Sequence, residues 1–295
     1  MHTLKSFRRL LAIGILLALT AGTACGRPRT PEAEPSAIPE PSTTSSSTAP
    51  GPPAPTPDPS RTSTITPTRP PATPGRTTTS SPFPRTLAGR DLERIPTSRR
   101  IVALTFDAGA NANGLASILA TLATEHVSGT FFLTGDFVTA NPQASRQIVA
   151  AGHRVANHST NHPHFTGLSD AAIRTELSGA EQAIRGATGA SSRPLFRFPF
   201  GDRNARTIAT VNAAGYAAVR WTVDTLGWQG TQDGTRDAAF VVNRVIAAAT
   251  PGEIVLMHVG SHPTDRSTLD ADALPRVIGA LRQRGYTFVT LDVLL

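Results

Sequence analysis

Residues 101–109 read Ile-Val-Ala-Leu-Thr-Phe-Asp-Ala-Gly, an apolar run that is typical of a buried strand and that leads into a carboxylate at Asp107. Four later segments repeat this arrangement, with a short polar motif directly after an apolar run. They are His158–His162, Arg197–Gly201, Asp224–Trp228 and Leu256–His258. Residues at the carboxyl ends of successive parallel strands converge on one face of a barrel or sheet. The motifs therefore predict one site that combines carboxylates, imidazoles and a guanidinium.

Strand-like and helix-like segments alternate from residue 101 to the end of the chain. The seven predicted strands are residues 101–106, 130–133, 154–157, 195–197, 216–222, 253–258 and 287–291. Such alternation predicts an α/β fold with a parallel sheet, and the count fits a seven-stranded (β/α) barrel. An open doubly wound sheet is the alternative, although no glycine fingerprint for a dinucleotide follows the first strand. The clearest predicted helix begins after Ser169, a good N-cap, and ends between Gly186 and Gly189.

The first 97 residues differ in composition from this globular part. Residues 1–25 have the layout of a secretory signal peptide, in which basic residues precede an apolar run from Leu10 to about Ala24 that is short for a membrane span. Residues 26–97 read as a disordered tether rich in Pro, Ser and Thr, since 17 of the 25 prolines lie between Gly26 and Arg85. Residues 98–295 are left as a single globular catalytic domain.

Cys25 is the only cysteine of the chain and directly follows the apolar run. The context Gly22-Thr23-Ala24-Cys25 resembles a bacterial lipobox, in which the cysteine is lipidated and becomes the new amino terminus, although Gly22 stands where Leu is usual. Ordinary signal cleavage nearby, which would leave an incidental cysteine, is the alternative. Lipidation predicts a secreted lipoprotein anchored to the outer face of the cell membrane. An extended tether of about seventy residues could then reach on the order of 200 Å into a cell wall.

The formal net charge of +7 overstates how basic the globular part is. From residue 99 onward, 17 arginines stand against 15 acidic residues, so this part carries only about +2. A nucleic-acid-binding face needs clustered basic residues, and the sequence has no such cluster. We therefore expect a monomer that has no nucleic-acid partner.

Two histidines in the second motif suggest a metal site. His158 and His162 are four residues apart, and on a helical turn both rings would project from one face at metal-chelating distance. Half of the eight histidines lie between His153 and His164. The alternative interpretation is a polar surface loop that happens to be rich in histidine.

The other motifs supply candidates for acid and base catalysis. Asp107 ends an apolar strand, where a carboxylate is costly unless it is paired or bound to a cation. Arg197, at the end of another strand, could keep that carboxylate ionised and oriented, as a general base requires. A buried ion pair without chemistry is the alternative. His258 follows an apolar strand and could donate a proton near neutral pH, although isolated histidines of this kind are often core residues.

From about Ile101 to Leu295 the chain resembles the polysaccharide deacetylase family, also called the NodB homology domain or carbohydrate esterase family 4, because the five motifs occur in the family's order. The resemblance implies a distorted (β/α) barrel and a divalent metal, usually zinc, that polarises water and an N-acetyl carbonyl. The roles it implies are Asp107 as general base, Arg197 as the residue orienting it, His158 and His162 as metal ligands, His258 as general acid, Phe200 as a backbone N–H donor to the oxyanion, and Trp228 and Leu256 as the acetyl pocket.

Two positions depart from the family pattern. Ala108 stands where the family has a second aspartate, the third metal ligand, so the predicted metal site is incomplete. Gly227 stands where the family has an aspartate that tethers the acid histidine, and Asp224 is the candidate to replace it. The segment from Ser261 to Asp265 could reach back into the site, as could the asparagines at 111 and 113.

The resemblance predicts a hydrolase that removes acetyl groups from N-acetylated sugars of an extracellular polysaccharide, namely peptidoglycan or a chitin-like glycan. An O-acetyl polysaccharide esterase could use the same site. A degenerate glycan-binding protein that has lost its metal is a third reading, from a different class. Retention of both candidate metal ligands together with Asp107, Arg197 and His258 argues against decay.

Lipidation at Cys25 is tested by the substitution Cys25→Ser. We expect the wild-type protein in the membrane fraction with a lipid-modified amino terminus, and the variant released into the medium, because only the cysteine sulfur accepts the lipid. Cell fractionation and mass spectrometry of the mature protein measure this. Wild-type protein found entirely in the medium without lipid would contradict the hypothesis.

Overall fold

The predicted parallel sheet is present in the computed structural model, which describes residues 85–295. The predicted signal peptide, the lipidation at Cys25 and most of the tether lie outside the described residues. Every pairing between strands of this sheet is parallel. The strands are β1 (Asp91–Leu92), β2 (Ile101–Ala108), β3 (Thr130–Leu133), β4 (Arg154–Asn157), β5 (Leu195–Phe196), β6 (Ala217–Val219), β7 (Val223–Asp224), β8 (Glu253–His258) and β9 (Thr287–Phe288).

Seven α-helices alternate with these strands in the part of the chain that the structure describes. They are α1 (Leu115–Thr124), α2 (Gly135–Ala140), α3 (Pro142–Ala150), α4 (Asp170–Thr188), α5 (Ala205–Ala213), α6 (Ala238–Ala248) and α7 (Leu269–Gln283). Ser169 caps α4 by accepting a hydrogen bond from the backbone N–H of Ala172, and Gly189 ends the helix with a φ of 74°. Both ends of α4 agree with the sequence pattern. Helix α2 was not predicted. It has only six residues, between its N-cap Thr134 and Asn141, and is too short to show a helical pattern of apolar residues.

The strand predicted for residues 216–222 is shorter in the structure, and the chain that follows it curls the sheet into a distorted barrel. Strand β6 ends at Val219, the next three residues lie outside any strand, and β7 begins at Val223. The sheet order is β1-β6-β5-β4-β3-β2-β8-β7, so β6 and β7 lie near opposite ends of the order although they are neighbours in the chain. The short connection brings these ends together. The α/β barrel-like fold is therefore confirmed.

Nine strands are present instead of the predicted seven because β1 and β7, each of two residues, were not predicted. Strand β1 has only two residues and pairs with β6 at the edge of the sheet, so it left no periodic signal in the sequence. Strand β9 pairs with the first two residues of β2, whereas β3 pairs with the last four. Both β9 and β3 therefore use the same side of β2.

Alternation along β2 separates two packed layers. Val102, Leu104 and Phe106 belong to a core cluster that includes residues of α1, α6 and α7. Ile101 and Ala103 belong to another cluster, with Phe132, Leu195, Ala217 and Ile254 of the neighbouring strands. Successive side chains of a strand point to opposite faces, so the second cluster fills the interior of the barrel. No helix within residues 85–295 is long and apolar enough to cross a membrane.

A buried carboxyl group lies at the end of the barrel opposite to the motifs. Glu253 begins β8 and is fully buried, and neither of its carboxyl oxygens has a hydrogen-bond partner among the described residues. Burial raises the pKa of Glu253 to about 8. The folded protein therefore holds a proton on Glu253 over a pH range in which the unfolded chain releases it.

The substitution Glu253→Gln tests this burial through the pH dependence of stability. Between the ordinary pKa of 4.5 and about 8, the unfolded chain binds fewer protons than the folded one, so the wild-type free energy of unfolding falls as pH rises. We expect the free energy of unfolding of the variant not to fall in this way. The variant should therefore be more stable than the wild type, with the largest difference near pH 8. Urea unfolding at several pH values measures the effect, with Asp233→Asn in an exposed loop as control. Equal pH slopes for Glu253→Gln and wild type would contradict the prediction.

Candidate active site

The polar motifs meet at the carboxyl end of the barrel. Asp107 is the penultimate residue of β2, and Asp224 and His258 are the last residues of β7 and β8. His158 and Arg197 directly follow β4 and β5. These residues surround a pocket of about 590 Å³. Its lining is made of Asp107, Gly109, Ala110, His158, His162, Phe198, Phe200, Trp221, Asp224, Trp228, Leu256, His258, Gly260, Ser261 and Pro263.

Arg197 is fully buried beneath this pocket and binds Asp107. Its Nη1 donates to Asp107 Oδ1 at 2.6 Å, and its Nη2 donates to Thr105 Oγ1 at 2.9 Å and to the Arg220 carbonyl at 3.0 Å. The guanidinium lies over the Phe132 ring, with Cζ 4.0 Å from the ring centre. A buried charge pair needs such additional hydrogen bonds to offset its desolvation. The sequence-based pairing of Asp107 with Arg197 is therefore present in the structure.

The pair holds Asp107 in its ionised form. Burial alone would raise the pKa of Asp107, but the Arg197 guanidinium, with smaller contributions from His158 and His258, keeps that pKa below its ordinary value. A carboxylate that stays ionised has lone pairs free to accept a proton from water. Asp107 thus has the protonation state that a general base requires.

His158 and His162 lie side by side, but not on the helical turn that their spacing suggested. The segment is a bend in which His162 and Ser159 have φ values of 61° and 71°. Ser159 Oγ accepts from the His162 backbone N–H at 3.0 Å, and Glu176 accepts from the backbone N–H groups of Thr160 and Asn161. These side-chain acceptors replace helical hydrogen bonds. The ring centres are still only 4.8 Å apart.

Both imidazoles are in the protonation state that binds metal ions. Burial lowers the pKa of His158, and burial lowers the pKa of His162 to about 4. His158 Nδ1 donates to the Arg197 carbonyl at 3.0 Å, which leaves Nε2 unprotonated and 3.3 Å from Asp107 Oδ2. His158 Nε2 and Asp107 Oδ2 both carry lone pairs and no proton lies between them, so a cation could bind beside them. The histidine pair therefore fits a divalent ion as two of its ligands.

The third ligand position is not filled by residue 108. Ala108 is fully buried and belongs to the core cluster that contains Phe106, on the opposite face of β2 from Asp107. Within residues 85–295, no group of three or more His, Cys, Asp or Glu side chains is placed to hold a metal ion. The protein ligands that the motifs predicted for a metal ion are thus reduced to the histidine pair.

His258 faces Asp107 across the sheet, and its closest acidic neighbour is Asp270 rather than Asp224. The register pairs Asp107 with His258, and His258 Nδ1 lies 3.5 Å from Asp270 Oδ2. Burial alone would lower the pKa of His258, but Asp270, followed by Asp107 and Asp224, raises it above the ordinary value. His258 therefore carries a proton more readily than a free histidine does.

Asp224 serves the turn that follows β7. Its Oδ1 accepts from the Leu226 backbone N–H at 2.8 Å, and its Oδ2 accepts from Trp228 Nε1 at 3.4 Å. No hydrogen bond or ion pair joins Asp224 to His258 within residues 85–295, and the Asp224 oxygens contact the turn and the Trp228 side chain. Asp224 still lines the pocket.

Aromatic side chains form the rim of the pocket. Phe200 is 61% exposed and Trp228 is 47% exposed, whereas Leu256 is buried at the bottom. The His164 ring stacks on Phe200, with ring centres 4.3 Å apart. Exposed aromatic rings beside a cleft suit the apolar faces of sugar rings. All three residues predicted for the substrate pocket therefore line it.

Two further features of the rim were only partly foreseen. Ser261 lines the pocket and is held by Asn111 Oδ1, which accepts from its backbone N–H at 2.9 Å, and by Asn113 Nδ2, which donates to its Oγ at 2.8 Å. The sequence pattern anticipated this approach. Trp221 and Asp270 were missed: Trp221 lay inside a predicted strand, and Asp270 is an ordinary acidic residue in the first turn of α7.

Comparison with known proteins agrees with the fold and the site. The polysaccharide deacetylase family profile matches residues 94–219. A chitooligosaccharide deacetylase of Sinorhizobium fredii is 35% identical over 209 residues, which are 68% of this chain and 95% of that protein. A peptidoglycan-N-acetylmuramic acid deacetylase of Bacillus subtilis is 31% identical over 200 residues, covering 68% of this chain and 73% of that protein.

One solved structure with a similar fold belongs to a pseudoenzyme. The crystal structure of a carbohydrate esterase family 4 pseudoenzyme from Bacillus anthracis has a TM-score of 0.63 and 28% identity, covering 70% of this chain and 69% of that one. The fold is thus shared by enzymes and by a pseudoenzyme. Family 4 deacetylases are generally metal-dependent. On the profile, the relatives and the shared fold together, the chain belongs to the polysaccharide deacetylase family and is a polysaccharide N-deacetylase.

Proposed function

We propose that this pocket removes acetyl groups from N-acetylated sugars of an extracellular polysaccharide, either peptidoglycan or a chitin-like glycan. The observation that carries the proposal is the pairing of an ionised Asp107 with a readily protonated His258 at adjacent register positions above the barrel. Two groups whose environments push their pKa values in opposite directions form a matched base and acid. A glycan-binding protein without activity would not need a matched base and acid.

The reaction is hydrolysis of the acetamide C–N bond. Asp107 accepts a proton from water as the water oxygen bonds to the acetyl carbonyl carbon, and Arg197 keeps the carboxylate ionised and in place until then. The C–N bond breaks as His258 gives its proton to the sugar nitrogen. The products are acetate and the free amine, and each proton step typically contributes about 10²–10⁴-fold to the rate.

Neighbouring groups position the acetyl group for this reaction. Trp228 and Leu256 provide an apolar surface for the methyl group on the His258 side of the pocket. The backbone N–H of Phe200 is the proposed donor to the oxygen that becomes negatively charged, as the family resemblance implies. Such donors stabilise the transition state more than the substrate.

A divalent cation, which we propose to be zinc, would be held by His158 and His162. When bound, it would polarise the acetyl carbonyl and lower the pKa of water. The orientation of His158 by the Arg197 carbonyl supports this proposal, since metal-binding histidines usually donate their other ring N–H to a backbone or carboxylate acceptor. Because Ala108 adds no ligand, we expect weaker zinc affinity than that of a site with two histidines and an aspartate.

The charge of the pocket favours a neutral sugar. Asp107 and Asp224 line it, and no Arg or Lys of residues 85–295 does, because Arg197 lies buried beneath Asp107. The lactyl carboxylate of N-acetylmuramic acid would meet these two like charges with no arginine or lysine beside it, and the proton of His258 is committed to the sugar nitrogen. N-Acetylglucosamine carries no charge, so we propose it as the unit that is deacetylated.

The lipid anchor predicted at Cys25 fits this substrate. A lipidated protein with a long tether would present the catalytic domain to glycan in the cell wall, where an N-acetylated polysaccharide is abundant. The anchor and the extracellular location remain proposals that rest on the sequence of residues 1–97.

Acetate release from defined glycans tests the proposed function and its sugar preference together. We expect the purified wild-type protein, supplied with zinc, to release acetate from chitotetraose, with kcat/KM at least about 5-fold higher than for a glycan that offers only N-acetylmuramic acid, because one like-charge contact costs on the order of 1 kcal/mol. An O-acetylated xylan serves as the control for esterase activity. Release from the O-acetyl control alone, or from none of the glycans, would contradict the proposal.

A further inference from the structure

A carboxylate fills the space above Gly227. A Cβ atom built on Gly227 would lie 2.3 Å from Asp270 Oδ1 and 2.5 Å from its Cγ. The backbone of Gly227 has no positive φ, so its conformation does not itself require glycine. The close approach of Asp270 is therefore the reason that residue 227 lacks a side chain.

Asp270 is nearly fully buried and faces His258. Its Oδ2 accepts a hydrogen bond from the His258 backbone N–H at 2.8 Å and lies 3.5 Å from His258 Nδ1. Neither His258 Nδ1 nor Asp270 Oδ1 makes a hydrogen bond within the described residues, and Asp270 is the one acidic side chain there within 4.0 Å of Nδ1. Buried polar atoms are normally paired, and a small rotation of the carboxylate would bring an oxygen into hydrogen-bond range of Nδ1.

Asp270 lies at a helix position that favours acidic residues. Asp270 is the second residue of α7, where free backbone N–H groups and the helix dipole favour negative charge. Asp224 cannot take this place, because its oxygens are engaged with Leu226 and Trp228. The acid that orients the histidine is thus supplied by a helix that follows β8 and not by the turn that follows β7.

We propose that Asp270 is the positioning residue of His258. Its carboxylate accepts a hydrogen bond from Nδ1–H, so that Nε2 faces the substrate nitrogen. The absence of a side chain at Gly227 leaves room for this carboxylate. This proposal rests on the proposed function for its kinetic consequence. The geometry adds a specific corollary. A carboxylate can reach His258 from position 270 or from position 227, but the two positions exclude each other.

Kinetics with a relocated carboxylate tests the role of Asp270. We expect Asp270→Asn to lower kcat on chitotetraose between about 10-fold and 100-fold with little change in KM, since acid catalysis itself contributes about 10²–10⁴-fold. Asp270→Ala should lose at least as much. The double variant Gly227→Asp with Asp270→Ala should recover kcat to within about 10-fold of wild type, because the carboxylate then comes from the other side of the same space.

The control is Asp272→Asn, which removes a charge from the same helix turn but pairs only with Thr268 Oγ1. It should leave kcat unchanged. Folding of every variant is checked by circular dichroism and thermal unfolding. Wild-type kcat in folded Asp270→Asn would overturn the proposal, as would a folded double variant no more active than Asp270→Ala.

A second readout does not depend on deacetylation and so separates this proposal from the proposed function. Long-range ¹H–¹⁵N spectra of histidine-labelled protein report which ring nitrogen carries the proton, with the His258 signal assigned by comparison with His258→Ala. At a pH where the ring is neutral, we expect His258 to be protonated at Nδ1 in the wild type and to lose this preference in Asp270→Asn. Protonation at Nε2 in the wild type would overturn the proposal even if acetate is released.

Discussion

The buried ion pair between Arg197 and Asp107 is the interaction on which both the barrel and its site depend. Arg197 follows β5, and its guanidinium reaches Thr105 and Asp107 on β2 and the Arg220 carbonyl between β6 and β7. One fully buried side chain thus connects three parts of the curled sheet. The backbone carbonyl of Arg197 also orients His158. Removing one partner of such a pair would leave an uncompensated buried charge, which is strongly destabilising.

The site separates charges within a small volume. The pKa of Asp107 is lowered mainly because the Arg197 cation outweighs burial, whereas the pKa of His258 is raised because three carboxylates outweigh burial. His158 and His162 are less well compensated, so burial dominates and lowers their pKa values. The same low-polarity pocket therefore holds an ionised base, a protonated acid and two neutral imidazoles. This arrangement is what deacetylation needs and what a purely structural ion pair does not provide.

The part of this arrangement that depends on strand periodicity could be predicted from the sequence. Apolar runs that end in Asp107, Arg197 and His258 place those residues at one edge of a parallel sheet, whatever the details of the loops. The spacing of His158 and His162 correctly predicted that their rings are adjacent, but not that the segment is a bend instead of a helical turn. Ser159 and Glu176 stabilise this bend, and hydrophobic periodicity gives no sign of it. Asp270 could not be found, since nothing local marks it: only the missing side chain at Gly227, 43 residues away in the chain, reveals its position.

The central claim is that Asp107 and His258 form a working base and acid. The most direct test is kcat for acetate release by Asp107→Asn and His258→Ala, measured on folded protein at neutral pH with chitotetraose. Asparagine keeps the size of the aspartate and an oxygen acceptor for Arg197, but it removes the counter-charge of the buried guanidinium, so Asp107→Asn should be less stable than the wild type. Circular dichroism and thermal unfolding establish that each variant is folded at the assay temperature. The account predicts that each loses at least about 100-fold in kcat. Near wild-type kcat in either variant would contradict it.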